Sequence, residues 1–477
     1  MPIKIFKILR HFFLLPLKNL INKSFQKGIF PKCLKLARVT PVHKQGNLSD
    51  PSNYRPISSL PYISKIVETC VKERILAFCD KFSLINSSQF GFRRKLSTCD
   101  ALIQLTEIIY DSLNKGNVLL IVMIDLKKAF DTVNHNVLLK KLECYGIRGN
   151  QLKWFSSYLS NRQCFVEIDN IKSKTEYFNI GVPQGSILGP ILFLLYINDI
   201  SSISNKLSTT LFADDTTVSI SDSNLSNLII NSNTELQKIA DWTSNNRLTL
   251  NVDKTVALLF TNKKPDNIGD QIILGDETVT DVVSSKFLGV FLDSKLNFVP
   301  HINYISNKIA KHVGIFYRIK DKLSSDAKLS YYYAFVYPFL SYNVCVWGST
   351  YPTHLNPIVV LQKKFIRLMT NSSFLAHTRP LFLQLGLLEF TDIYKYNLLN
   401  YVFKALSKNV FCFNNSRNSR DQFLIRPHFH RLTKTQHAFS YIGPTEWNKL
   451  PVNLRKIDDF KRFKRSLKSY FLSLYES

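Results

Sequence analysis

The sequence predicts an α+β fold that gives way to helices beyond about residue 295. Three observations carry this reading. Residues Val118 to Ile124 form an unbroken apolar, β-branched run of strand length. The string TLFADDTTVSI, Thr210 to Ile220, reads as two strands with a turn at the paired Asp214 and Asp215. Apolar residues then recur at helical spacing in HINYISNKIAKHVGIFYRI and onward through about residue 405.

The elements follow in order. The segment through Pro56, with PKCLKLARVTPVHKQGNLSDPSNYRP, is loop-rich and basic, and ISKIVETCVKERILAFC then has helical spacing. Ser97 and Asp100 make a capping box ahead of the helix ALIQLTEIIYDSL. Between the strand ending at Ile124 and the paired acids lies a glycine-marked turn, Gly181 to Ser186. Ser186 is placed to cap the apolar helix ILGPILFLLYI, with Pro190 near its first turn, where proline does least harm. In the last segment Phe460, Phe463, Leu467, Tyr470 and Phe471 repeat at helical spacing with lysines and arginines between them. That pattern predicts a helix packed on one face and cationic on the other.

Composition narrows the class of function. The chain has 477 residues, enough for two to four domains, and 45% of them are hydrophobic, so a large core can form. A net charge of +27 costs self-repulsion unless a polyanion binds, which makes nucleic acid the default partner. An anionic membrane surface is the rival partner. The last 77 residues alone hold 15 Lys and Arg against 5 Asp and Glu, so the charge is concentrated there. The eight cysteines, Cys33, Cys70, Cys79, Cys99, Cys144, Cys164, Cys345 and Cys412, stand singly without zinc or knuckle spacing. They read as reduced thiols of an intracellular protein. The N-terminal stretch is interrupted by Pro16 and Lys18 and has no cleavage signal, so it reads as an amphipathic packing helix. No apolar run reaches the length of about 18 residues that a spanning helix needs.

Asp125 ends the run VLLIVMID, so its carboxylate emerges where a buried strand meets the surface. Asp214 and Asp215 sit on a turn flanked by apolar residues. Neighbouring carboxylates in such surroundings repel each other and lose solvation, and a divalent cation reverses both costs. A lone Asp pair in a turn is ordinarily only a turn. Order and context decide the matter. IDLKKAFDTVNH (Ile124–His135), GVPQGSILGPILF (Gly181–Phe193) and LFADDT (Leu211–Thr216) resemble the palm motifs of reverse transcriptases, in particular those of non-LTR, LINE-type, jockey-like retrotransposons. PVHKQGNLSDPSNYRPIS resembles their fingers segment, QFGFRRKLST the stretch before the palm, and WTSNNRLTLNVDKT the motif after the acids. KFLGVFLD resembles the primer-grip hairpin, and LGLLEFTDIYKYNLLNYVFK and IGPTEWNKLP resemble C-terminal segments of these polymerases.

The resemblance implies a right-hand polymerase. It divides the chain into an N-terminal helical extension (1–24), fingers and palm (25–295), a helical thumb or connection (296–400) and a basic C-terminal region (401–477). Its implied reaction is RNA-directed addition of dNMP to a primer 3′ end. Asp125, Asp214 and Asp215 would hold two Mg²⁺ ions, or Mn²⁺, with the Leu126 carbonyl completing one shell. Phe130 takes the steric-gate position against a ribose 2′-hydroxyl. Lys44, Arg55, Gln184, Gly185 and Lys254 fall at nucleotide-binding positions, and Phe287, Leu288 and Gly289 at the primer grip. The implied partners are an RNA template, a DNA primer and dNTPs, with no membrane, in cytoplasm and nucleus. The family's usual upstream endonuclease is missing from this chain, so another chain or a missing N-terminal domain would supply it. The family's C-terminal Cys/His knuckle, found in some lineages, is also missing. An RNA-dependent RNA polymerase is the rival enzyme, and Phe130 argues against it. A catalytically inactive or truncated retrotransposon-derived nucleic-acid-binding protein is the alternative of another class.

Overall fold

A computed structural model of the chain describes residues 8–262, 271–408 and 423–476. Two sheets carry its first part. The basic segment forms a hairpin of β1 (Leu36–His43) and β2 (Tyr54–Ser59), with His43 opposite Tyr54. The expected strand β3 spans Val118–Ile124. Next come β4 (Arg162–Ile168), which runs parallel to β1, and the short β5 (Ile171–Lys172) and β6 (Glu176–Phe178), which complete the first sheet. The paired acids lie where β7 (Ser208–Phe212) turns into β8 (Asp215–Asp222), and β9 (Val256–Phe260) follows. A small hairpin of β10 (Ile273–Leu274) and β11 (Glu277–Thr278) leads to β12 (Thr280–Asp281). The second sheet has the order β12-β9-β3-β8-β7, and β3 is antiparallel to both its neighbours. A separate hairpin, β13 (Ser284–Phe287) and β14 (Val290–Asp293), closes this part.

Strand β3 is apolar throughout because both its faces are buried. Leu119 and Ile121 pack with Leu102, Leu105 and Ile109, while Leu120 and Val122 pack with Leu228, Leu236 and Ile239. The first set belongs to the helix Thr98–Asn114, which begins with the expected capping box: the Ser97 amide donates to Asp100 at 2.8 Å. The second set belongs to the helix Leu225–Asn245. The helix after the glycine-marked turn spans Gly189–Ile197, two residues later than its apolar run begins. Ser186 still serves its start, with Oγ accepting from the Gly189 amide at 2.9 Å.

Beyond residue 298 the described chain is helical, as the spacing predicts. Its long helices are α1 (Val299–Ile319), α2 (Ser325–Phe335), α3 (Pro352–Met369), α4 (Phe390–Lys408), α5 (Phe439–Asn448) and α6 (Phe460–Ser473). Phe316, Phe365, Leu398, Val402, Trp447, Phe463, Leu467 and Phe471 join the same core cluster as Leu102 and Ile121. The helices are therefore not a detached appendage. Side chains reinforce the join: Tyr401 donates to Asp100 at 2.8 Å, and Asn114 Oδ1 accepts from the Arg431 amide at 2.8 Å.

The N-terminal helix departs from expectation. It spans Arg10–Lys27 with Pro16 inside, and Phe12, Leu14 and Leu15 stand exposed rather than packed. Its last turns dock, where Ser24 Oγ accepts from Trp154 Nε1 at 2.9 Å and Phe25 meets the same indole edge-on. Among the described residues every cysteine is free, while Cys412 lies outside them. No described helix is long and apolar enough to cross a membrane.

Candidate active site

The register of the second sheet brings the three acids to one place. Ile124 pairs with Thr216, so Asp125, the next residue, comes level with Asp215 across the strand pair. Phe212 pairs with Asp215 on the other side, leaving Ala213 and Asp214 as a two-residue turn. The turn therefore sits one residue earlier than the acid pair, with Asp215 already the first residue of β8. Ala213 adopts φ +60, and its amide is held by the Gln89 side-chain oxygen at 3.1 Å. Gln89 is 1% exposed, and its neighbour Phe90 donates to the Leu211 carbonyl at 2.8 Å. A Cβ on Gly91 would lie 2.4 Å from the Ala213 nitrogen, so only glycine lets this segment lie against the turn.

Asp125 is anchored from the segment that follows the acids. Asn251 donates its amide to the Asp125 carbonyl at 2.9 Å and its Nδ2 to Oδ2 at 2.6 Å. The Asp125 amide in turn donates to Thr255 Oγ1 at 3.2 Å. Lys254, between these two, is exposed. Leu126 is buried and forms an isolated bridge with Leu250.

Charge coupling shows the same convergence. Burial raises the Asp215 carboxyl to about 6, and repulsion from Asp214 and Asp125 adds to the rise. Burial likewise raises Asp214, with Asp125 adding and Arg55 and Lys44 opposing. The β1–β2 hairpin thus holds its two exposed cations within electrostatic reach of the acids.

Phe130, five residues after Asp125, is half-buried. Its ring stacks on Phe193 at 4.5 Å and stands edge-on to the exposed Phe92 at 6.5 Å. Its carbonyl accepts from the Val182 amide at 2.9 Å, which ties it to the glycine-marked turn. In that turn Gln184 donates Nε2 to Asp131 at 3.0 Å, and its carbonyl accepts from the Ser58 amide at 2.7 Å. Gly185 has φ +114, and a Cβ there would meet the Ser58 carbonyl at 2.5 Å, so this close approach requires glycine. Glu68, fully buried, accepts from the Ile187 amide at 2.8 Å and from Ser64 Oγ at 2.8 Å, fixing the same turn from below.

The residues expected at the primer grip lie on the β13–β14 hairpin. Phe287 is buried in the core, while Leu288 and Gly289 form the tip with φ of 46 and 86. Tyr342 donates to the Leu288 carbonyl at 2.9 Å. The structure therefore gathers Lys44, Arg55, Asp125, Asp214 and Asp215 electrostatically and sets Phe130, Gln184 and Gly185 on one connected wall.

Among the described residues no group of three or more His, Cys, Asp or Glu is arranged as a ready metal site, and the Asp125 carboxylate is engaged by Asn251. The donor chemistry nevertheless fits a hard divalent cation. The three acids supply oxygen ligands only, and two are partly withdrawn from water and pushed up by their neighbours' charge.

A five-stranded sheet, antiparallel except at its β12 edge, with acids on a hairpin tip and on the adjoining strand end, faced by a cationic hairpin, defines the palm and fingers of a right-hand polymerase. The family model described as reverse transcriptase (RNA-dependent DNA polymerase) matches residues 42–292, and the chain belongs to that family. It is similar to the RNA-directed DNA polymerase from mobile element jockey of Drosophila melanogaster, with 29% identity over 76% of this chain and 40% of that one. The probable RNA-directed DNA polymerase from transposon X-element of the same fly is 29% identical over 76% of this chain and 40% of its own length. The chain thus spans about two fifths of the curated relatives it matches. Among solved structures, apo telomerase from Candida tropicalis is similar over 86% of this chain and 73% of that one. At 12% identity and a TM-score of 0.42, that likeness carries no argument.

Sequence reading alone did not find Gln89, Asn251, Thr255 or Glu68 as parts of the site. The first three lie inside quoted motif strings, which was the available signal. Glu68 lies in a helical run with nothing to mark it.

Proposed function

We propose that the chain is an RNA-directed DNA polymerase that adds dNMP to a primer 3′ end in the propagation of a non-LTR element. The observation that carries this is the register that sets Asp125 level with Asp215 beside the Asp214 turn. In this reading Asp125, Asp214 and Asp215 hold two divalent ions, Mg²⁺ or Mn²⁺, with the Leu126 carbonyl as a further ligand. Bound there, the ions supply activation of the primer hydroxyl and charge neutralisation at the phosphoryl group. The chain's own residues bind and orient. Lys44 and Arg55 face the triphosphate, Arg with a fork suited to phosphate oxygens and Lys as a point charge. Phe130 closes the sugar side, Gln184 and Gly185 form the wall of the nucleotide pocket, and the Leu288–Gly289 tip meets the primer. Lys254 is exposed and stands as a proton donor to pyrophosphate. Template RNA, DNA primer and dNTPs are the partners, and an endonuclease activity comes from another chain or segment.

The test is extension of a DNA primer on an RNA template with Mg²⁺ and dNTPs. Wild type extends the primer, and Asp214→Asn lowers the rate by about 100-fold or more. The variant should melt no lower than wild type without metal, because it removes one of three mutually repelling carboxylates. Equal background signals from both proteins would favour an inactive nucleic-acid-binding remnant instead.

A further inference from the structure

The helical half carries a cavity that the polymerase reading leaves unused. It has a volume of about 370 Å³ and is lined by Tyr333, Tyr337, Asn400, Lys404, Lys464 and Lys468, among others. Two facing helices build it from residues spaced four apart. Helix α4 contributes Tyr396, Asn400 and Lys404, and α6 contributes Phe460, Lys464 and Lys468. This spacing puts each trio on one stripe of its helix. Helix α2 adds Tyr333 from a third side.

Two features point to a ligand. Three ammonium groups surround the cavity, no Asp or Glu lines it, and none of the three lysines is ion-paired among the described residues. Lys404 rests over the Phe460 ring at 4.7 Å, which orders it without neutralising it. Such a cluster repels itself until an anion arrives. The second feature is aromatic: Tyr333 is 42% exposed at the cavity, with Tyr337 beside it at a ring separation of 5.5 Å.

We propose that this cavity binds an unpaired nucleotide of a single-stranded nucleic acid. The phosphates lie against Lys404, Lys464 and Lys468, and a base lies against Tyr333 and Tyr337. A duplex keeps its base faces stacked on one another, so only an unpaired base can reach the rings. The site goes beyond the polymerase reading and rests on it only for the choice of a polynucleotide as ligand.

The test measures binding of the full chain to fluorescein-labelled U20 and dT20 across a salt series, without metal or dNTP. Failure of primer extension would leave this measurement untouched. Each phosphate contact on a single strand contributes about 0.7 to the slope of log K against log salt. Combining Lys404→Gln, Lys464→Gln and Lys468→Gln should therefore lower that slope by about 2. The control triple, Lys461→Gln, Arg462→Gln and Arg465→Gln on the same helix away from the cavity, should lower it by less than half as much. Tyr333→Leu should weaken binding about tenfold with the slope unchanged, and Tyr333→Phe should restore it. Equal slope losses in both triples, or a Tyr333→Leu variant that binds like wild type, would reduce the site to a general cationic face and overturn the proposal.

Discussion

Phe130 shows how one side chain is made into a wall. Its backbone is pinned to Val182, and its ring is backed by the fully buried Phe193 at 4.5 Å with an interplanar angle of 27°. A ring so backed cannot swing away from a substrate on its open side without losing that stacking, worth about 1 kcal/mol. Under the polymerase reading it meets the sugar, and the added 2′-oxygen of a ribonucleotide has nowhere to go. Phe130→Val should raise ribonucleotide incorporation relative to deoxynucleotide by about tenfold or more. Its cost in stability should be about 1–2 kcal/mol, because a half-buried ring is shortened. Paired single-turnover incorporation of rNTP and dNTP measures the ratio. A ratio unchanged from wild type would leave Phe130 as a packing residue only.

At the scale of elements, the glycine-marked turn is held by residues far away in sequence. Glu68 reaches it from the helix Tyr62–Lys81, and β2 reaches it through Ser58. Glu68→Gln keeps the shape but offers one acceptor where the carboxylate offered two. One of the amides of Ile187 and Leu188, or the Ser64 hydroxyl, then loses a charge-assisted bond, at a cost of about 1.5–3 kcal/mol. The melting temperature should fall and the KM for dNTP should rise, since the turn carries Gln184 and Gly185. A lower melting temperature with an unaltered KM would separate the turn from the nucleotide site. The same case shows what sequence can and cannot disclose. β3, the β7–β8 hairpin and the helices from Val299 onward were legible because apolar spacing is a local signal. The positions of the acids were legible at a strand end and a turn, while the role expected of them came from the resemblance of the surrounding motifs. Glu68 with Ile187, Gln89 with Ala213 and Asn251 with Asp125 are polar pairs more than a hundred residues apart. No local pattern encodes a polar pair of that kind, so only the folded chain discloses it. The exposed Phe12, Leu14 and Leu15 of the first helix depart from expectation for a different reason, because an apolar run announces a packing face without fixing which of its side chains the fold covers.

At the scale of the whole molecule, one hydrophobic core runs from the sheet into the helical half, and His301 stands where they join. Its ring lies against Trp347 at 5.3 Å and against Phe291 of β14, with Nδ1 accepting from the Phe291 amide at 3.4 Å. The proton therefore sits on Nε2, which finds no partner among the described residues. Burial, helped by the charge of Lys286, lowers its pKa to about 4. The unfolded chain takes a proton on this ring near 6.5, while the folded chain refuses it until about 4. The unfolded state thus binds more protons across that window, and stability falls as pH drops from 6.5 toward 4. The contribution is complete above 6.5 and amounts to roughly 2–3 kcal/mol when lost. His301→Gln keeps an acceptor for the Phe291 amide but cannot take the proton. Denaturant unfolding of both proteins at a series of pH values isolates the effect, because other groups titrate alike in each and cancel in the difference. The stability gap between wild type and variant should shift by that amount between pH 7 and pH 4, in the variant's favour at the acid end. A gap independent of pH would mean that the ring takes up its proton in the folded chain at the same pH as in the unfolded one, and that the join between sheet and helices tolerates a buried cation in acid.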